Sequence, residues 1–172
     1  MSLDEPIEIV DYDPRRARAF RGERDRVRLA LALSSLKFEH IGATAVPGQA
    51  GTPIVDLMAG ATPEVWAARD ELRPRIVALG YEDLGEAGLS GRLYFRRRTP
   101  LRAFSLSLVE FQGQRWNANL AFRDYLRTHP DEAAAYGKAK REALASGAST
   151  FTAYAGAKAA AADAILRRAL AR

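Results

Sequence analysis

Asp56 stands inside the apolar run Ile54-Val55-Asp56-Leu57-Met58, just after a loop, 42–52, that is rich in glycine, threonine and proline. A loop of this kind brings backbone N–H groups close to a phosphate, because Gly42 and Gly48 have no Cβ to hold the anion away. A strand carboxylate beside it can bind Mg²⁺, which bridges phosphate oxygens during transfer. Two plainer readings stay open. The loop can be a tight structural turn, and Asp56 can be a buried carboxylate that accepts backbone N–H bonds from it. Ser105 and Ser107 alternate on one face of an expected strand, so both can line one cleft or one wet face. A serine nucleophile needs a base, and His40 is the sole candidate, although its spacing reads more simply as a hydrogen-bonded structural histidine. Arg123 and Arg127, at i and i+4, share a helix face and can bind an anion or form salt bridges. Arg96-Arg97-Arg98, with Arg92 and Arg102, lacks the interleaved aromatics that read single strands. It is expected to be a solvated hairpin tip, with nucleic acid an unfavoured partner. His129, in Thr-His-Pro, reads as a loop or cap residue.

Alternating β-branched residues make Ile7 to Val10 a short first strand. Asp13-Pro14 then caps a helix whose apolar stripe, Ala17, Phe20, Val27, Ala30 and Leu31, runs to about Leu33 with arginines opposite. Phe38 to Ile41 is extended and leads into the loop. The run from Ile54 to Met58 suits a strand covered on both faces. Thr62-Pro63-Glu64 opens a second helix, with Val65, Leu72, Ile76 and Leu79 on its apolar side and Gly80 ending it. Leu93 to Phe95 and Ala103 to Phe111 read as an antiparallel pair around the turn 96–102. From Gln114 onward three helices follow: one with Trp116, Leu120 and Leu126, one from Ala133 to Ala145, and one from Phe151 to Leu170 capped by Ser149-Thr150. The pattern gives one α/β domain over residues 1–172 with a helical C-terminal third from about residue 114.

A chain of 172 residues with 48% hydrophobic and 27% charged residues suits a single globular domain. It has no cysteine, which excludes disulfides, thiolate metal sites and a cysteine nucleophile. Its two histidines leave no multi-histidine metal site within one chain. No apolar run approaches the roughly 20 residues needed to span a bilayer, and Asp4, Glu5 and Glu8 stand where a signal peptide needs positive charge. No membrane association and a cytoplasmic location are the expectation. The net charge of +5 is mostly arginine and is read as solvated helix faces interleaved with Glu23 and Asp25. Oligomeric state is not set by the sequence.

The string His40-Ile41-Gly42-Ala43-Thr44-Ala45-Val46-Pro47-Gly48, followed by Thr52-Pro53-Ile54-Val55-Asp56, resembles the signature of the GrpB family. Phe122-Arg123-Asp124-Tyr125-Leu126-Arg127, His129-Pro130, Lys140-Arg141-Glu142, and Tyr154 with Lys158 extend the resemblance over nearly the whole chain. The resemblance implies a nucleotidyltransferase-like α/β (α+β) fold: a mixed β-sheet flanked by helices, with a C-terminal helical extension. It also implies a glycine loop ahead of an Asp-x-Asp strand, whose carboxylates hold Mg²⁺ and a triphosphate while an acceptor attacks.

This chain departs from that pattern where the chemistry would occur. Ala43 replaces the expected serine, Thr52 an expected lysine, Met58 the second acid, and Ser105-Leu106-Ser107 a His-x-His. Glu110, or Glu39, is left as a candidate second carboxylate beside Asp56. The expected site thus has Asp56 and Glu110 as catalytic candidates and Asp56 as the metal ligand. Its phosphate or ligand contacts are Gly42, Ala43, Thr44, Gly48, Thr52, Ser105, Ser107, Arg123 and Lys158. The expected function is binding of a nucleotide or small phosphorylated ligand on a scaffold with depleted catalytic groups. Mg²⁺-dependent nucleotidyl or phosphoryl transfer to a small acceptor is the alternative, and nucleic-acid binding a remote one.

Overall fold

Side-chain alternation along the strands decides which layer each residue joins. The computed structural model describes residues 7–148 and 150–171. Within these, the strands are β1 (Lys37–Ile41), β2 (Ile54–Ala61), β3 (Glu82–Asp83), β4 (Leu93–Arg98) and β5 (Ala103–Glu110). They form one mixed sheet in the order β1-β2-β5-β4-β3. The β2–β5 pair is parallel and the other three pairs are antiparallel. The helices are α1 (Arg15–Leu31), α2 (Pro63–Ala67), α3 (Arg69–Val77), α4 (Gln114–Thr128), α5 (Pro130–Ala145) and α6 (Phe151–Leu170). The expected mixed α/β layout with a helical last third is found.

One face of the sheet is mostly apolar, with His40 and Arg97 as polar members. Val55, Leu57 and Ala59 of β2, Phe95 of β4, and Phe104, Leu106 and Leu108 of β5 meet Phe20, Val27 and Leu31 of α1 and Leu72 and Ile76 of α3. Each fully buried side chain of this size contributes about 1.5–3 kcal/mol. On the other face, Ile41, Met58 and Val109 pack under Trp116 of α4. Gly60 makes room for that indole, since a Cβ there would lie 2.6 Å from Trp116 Cζ3. Helices α5 and α6 dock through Val46, Tyr125, Leu126, Ala133, Tyr136 and Ile165, which ties the helical third to the loop after β1.

Two local expectations are corrected. Of Ile7 to Val10, only Val10 pairs, through an isolated bridge to Gly51. The next hydrogen-bonded position of that antiparallel register falls on Pro53, which has no N–H to donate. The segment from Pro63 to Val77 is two helices, not one. Only Leu72 and Ile76 are buried along it, and Pro74 removes a helical donor. Strand β3 is too short and too polar to show any periodicity. The antiparallel β4–β5 hairpin is as expected, and Thr150 Oγ1 caps α6 by accepting from Ala153 N at 3.4 Å. Asp4, Glu5 and Ser149 lie outside the described residues. Among the described residues no helix is long and apolar enough to cross a membrane.

Candidate functional site

The β-sheet register sets polar residues in a line on the face that α4 only partly covers. Asp56 of β2 lies opposite Ser105 of β5, and Ser105 lies opposite Arg96 of β4. One rung on, Ser107 lies opposite Tyr94. Over these residues opens a cavity of about 280 Å³, walled also by Gly42, Thr52, Arg92, Arg115, Asn119 and Lys158. Four elements therefore supply one site: the sheet, the glycine loop, α4 and α6.

Asp56 is the cavity's acid. Ser105 Oγ donates to its Oδ1 at 2.5 Å. On the other side the glycine loop closes in so tightly that a Cβ at Gly42 would stand 2.2 Å from Oδ2. Gly42 also has φ +72°, which a side chain disfavours, so glycine is required there on two counts. Burial raises the Asp56 carboxyl above its ordinary proton affinity. The Ser105 hydrogen bond and the charges of Lys158, Arg96 and Lys140 oppose that rise.

Cations dominate the surroundings. Arg96 is 3% exposed, and its Nε donates to Tyr94 Oη at 3.2 Å. Arg92 lies over the Tyr94 ring, 4.4 Å from its centroid, and donates to the carbonyl oxygens of Glu86 and Ala87. Arg115 Nε donates to Ser90 O at 2.9 Å. Burial lowers the proton affinities of Arg92 and Lys158. Behind the loop, Lys140 Nζ donates to Ala50 O at 3.0 Å and sits over Tyr136. Burial, reinforced by the charge of Lys158 and opposed by Asp56, brings Lys140 down to about 7.

The structure thus gathers Gly42, Thr52, Asp56, Ser105, Ser107 and Lys158 into one cavity, as the sequence suggests. The remaining expected residues go elsewhere. Glu110 pairs with Ala61, five rungs from Asp56 and about 16 Å along the strand, where it borders a separate depression with Trp66 and Gly113. It cannot share a ligand with Asp56. Arg123 turns its guanidinium to Glu39 Oε2 at 2.5 Å, His40 O at 3.0 Å and Asp124 Oδ1 at 2.8 Å, which makes it a structural clamp. Thr44 is buried and its Oγ1 engages His40 Nε2 at 2.9 Å. Ala43 packs against Gly51, and Gly48 is an exposed turn residue at φ +77°. His40 stacks on Phe20 at 4.6 Å, so it is not a base for Ser105.

Arg92, Tyr94, Arg96, Arg115, Asn119 and Lys140 are the site residues that sequence reasoning missed. The arginine run reads as a wet tip only if taken as a block. Taken by alternation, Arg92, Tyr94 and Arg96 share a face opposite Leu93, Phe95 and Arg97, and only Thr99 to Arg102 form the exposed turn.

The donor set does not fit a hard divalent cation. Mg²⁺ prefers several oxygen ligands, usually one or two carboxylates among them. Among the described residues lining the cavity Asp56 is the only acid, and no three His, Asp or Glu side chains converge anywhere. Met58, where a second acid would stand, is fully buried in the apolar cluster under Trp116.

The sequence profile of the GrpB protein family matches residues 6–168. The chain belongs to the GrpB family. A GrpB protein from Enterococcus faecalis, described as a conserved protein, has a crystal structure that overlays with a TM-score of 0.83 at 31% identity, over 95% of this chain and 97% of that one. A UPF0157 protein of Deinococcus radiodurans is 34% identical over 96% of this chain and 84% of its own length. The UPF0157 protein YqkA of Bacillus subtilis is 32% identical over 81% of this chain, and the match spans 40% of YqkA. A Pseudomonas aeruginosa UPF0157 relative is similarly matched over 57% of its length. A Cid1 poly(U) polymerase overlays at a TM-score of 0.48 and 14% identity, too slight a likeness to bear on chemistry.

Proposed function

We propose that this GrpB protein binds a phosphorylated small molecule in the cavity over Asp56, and that it does so without a metal ion. The observation that carries the reading is the ring of Arg92, Arg96, Arg115 and Lys158 around a single carboxylate. In a partly dry cavity such cations are worth more than in water, and they offset phosphate charge where Mg²⁺ would otherwise be needed. Gly42 lets the loop close against the Asp56 carboxylate, so the arginines and Lys158, not the loop, are the groups that meet phosphate. Mg²⁺-dependent nucleotidyl or phosphoryl transfer remains the competing reading, and Met58 and the distant Glu110 weigh against it.

Calorimetric titration of the protein with pyrophosphate, ATP and CTP, in EDTA and again in Mg²⁺, tests the proposal. Binding of at least one of these is expected in EDTA, and Lys158→Ala should weaken it by about tenfold or more, the worth of one charge-assisted bond. Binding that needs Mg²⁺ and disappears in Asp56→Ala would transfer the case to the metal-dependent enzyme. Binding of no phosphate compound in either condition would sink both.

A further inference from the structure

We infer that the ligand of this cavity is a compact phosphorylated polyol, of the size of a triose or pentose phosphate, and not a nucleotide. The inference rests on the anion-binding reading above and narrows it. Size is the first argument. The cavity holds about 280 Å³, at the bottom of the roughly 300–1,000 Å³ range of small-molecule sites. A nucleoside triphosphate would have to project out of it, whereas a triose or pentose phosphate is held within.

The second argument is the absence of a stacking surface among the residues that line it. Bases are held chiefly by aromatic faces. Tyr94 is the aromatic side chain in the wall, its ring face is covered by the Arg92 guanidinium at 4.4 Å, and its hydroxyl is engaged by Arg96. A base seeking that ring face would meet an arginine that is itself held by two backbone carbonyls.

The third argument is what Asp56 does among cations. A carboxylate repels phosphate, so it serves some other part of the ligand. Asp56, with Thr52, Ser105 and Ser107, supplies hydroxyl and carboxylate groups from the loop and the β2–β5 pair, whereas Arg92 and Arg115 enter from just before β4 and from α4. The hydroxyl and carboxylate groups match ligand hydroxyls, which both donate and accept. Phosphate then lies toward Arg92 and Arg115, close enough to each other that their charges interact, and the ligand's hydroxyls lie toward Asp56 and Ser105. Most small-molecule sites are predominantly apolar. This one is built as a polar pair of subsites.

The test is calorimetry on the full chain in EDTA with inorganic phosphate, glycerol 3-phosphate, ribose 5-phosphate, AMP, ATP and free ribose. Ribose 5-phosphate or glycerol 3-phosphate should bind about tenfold or more tighter than inorganic phosphate and than either nucleotide, the margin expected from one hydrogen bond to a charged acceptor. Asp56→Asn, which keeps the shape, should erase the margin over inorganic phosphate, and because it removes a repelling charge, inorganic phosphate itself should bind at least as tightly as to the parent. Nucleotide binding as tight as that of the sugar phosphates would overturn this inference and leave the anion pocket standing. So would an unchanged margin in Asp56→Asn. Failure of every phosphate compound to bind would overturn both readings together.

Discussion

Asp56 and Ser105 face each other across the parallel β2–β5 pair, and the serine hydroxyl donates to Oδ1 at 2.5 Å. That bond gives a half-buried carboxylate a neutral partner from the neighbouring strand. The arginines then come from strand β4 by register and from α4 across the cavity, and Lys158 comes from α6. Side chains of several elements thereby surround Asp56 with more positive charge than it neutralises. The helical third is accordingly part of the site.

Gly42→Ala should lower stability by about 2–5 kcal/mol, read as the shift of the urea unfolding midpoint at constant slope. Positive φ costs an ordinary residue about 1–2 kcal/mol, and overpacking against Asp56 Oδ2 adds about 1–3 kcal/mol. Gly48→Ala is the control. It has φ +77° with nothing within 4 Å of where the alanine methyl would stand, so only the conformational part remains. Equal losses in the two variants would show that the Asp56 contact carries no strain.

Met58→Asp restores the sequence pattern of an Asp-x-Asp strand, yet should not restore a metal site. Met58 is fully buried in an apolar cluster with Ile41, Val109 and Trp116. An uncompensated charge there should cost about 3–5 kcal/mol, whereas Met58→Leu should cost less than about 1.5 kcal/mol. Thermal unfolding with and without Mg²⁺ decides it. A Met58→Asp variant as stable as the parent, and stabilised further by Mg²⁺, would refute the apolar account of this position.

Much of the fold is legible in the sequence because it rests on period. The β2 run, the Ser-x-Ser strand, α1 and the three C-terminal helices all announce their buried faces. The cavity is half legible. Alternation places Asp56, Ser105 and Ser107 on one face, and composition reveals the glycine loop. The same alternation puts Glu110 on the face opposite Ser105 and Ser107, and its distance from Asp56 along the sheet then follows from the β2–β5 register, which no local pattern encodes. Arg123 fails for a related reason. Its partner Glu39 is 84 residues away, and the pair forms only when α4 crosses β1. Arg96 reads as solvent-facing when its charge is given more weight than its position two residues from Tyr94.

His40 should leave a signature in the pH dependence of stability. Burial, with the nearby charges of Arg127 and Arg123, holds it down to about 4 from an ordinary 6.5. The folded state then keeps the ring neutral while the unfolded chain takes up a proton. The associated stability is present above pH 6.5, is lost as pH falls from 6.5 toward 4, and changes no further below that. The gap is worth about 3 kcal/mol. Urea titrations between pH 4 and 7.5 should show the slope in the parent and a flatter line in His40→Gln. An NMR titration in which His40 protonates near pH 6.5 in the folded protein would contradict the assignment.

Lys140 links ligand binding to protons. Its folded value of about 7 lies below the ordinary 10.5 because burial and the Lys158 charge disfavour the ammonium. The stability it contributes is therefore full above pH 10.5 and is lost as pH falls from 10.5 toward 7. A phosphate entering the cavity adds negative charge near Lys158 and the loop, which favours the charged form of Lys140. Binding should then take up a proton fraction approaching about one half at pH 7, since half the amines are neutral there. Calorimetry in buffers of different ionisation enthalpy measures that uptake directly. It should vanish in Lys140→Met even where binding persists. An observed enthalpy independent of the buffer between pH 7 and 8 would mean that Lys140 does not sense the ligand.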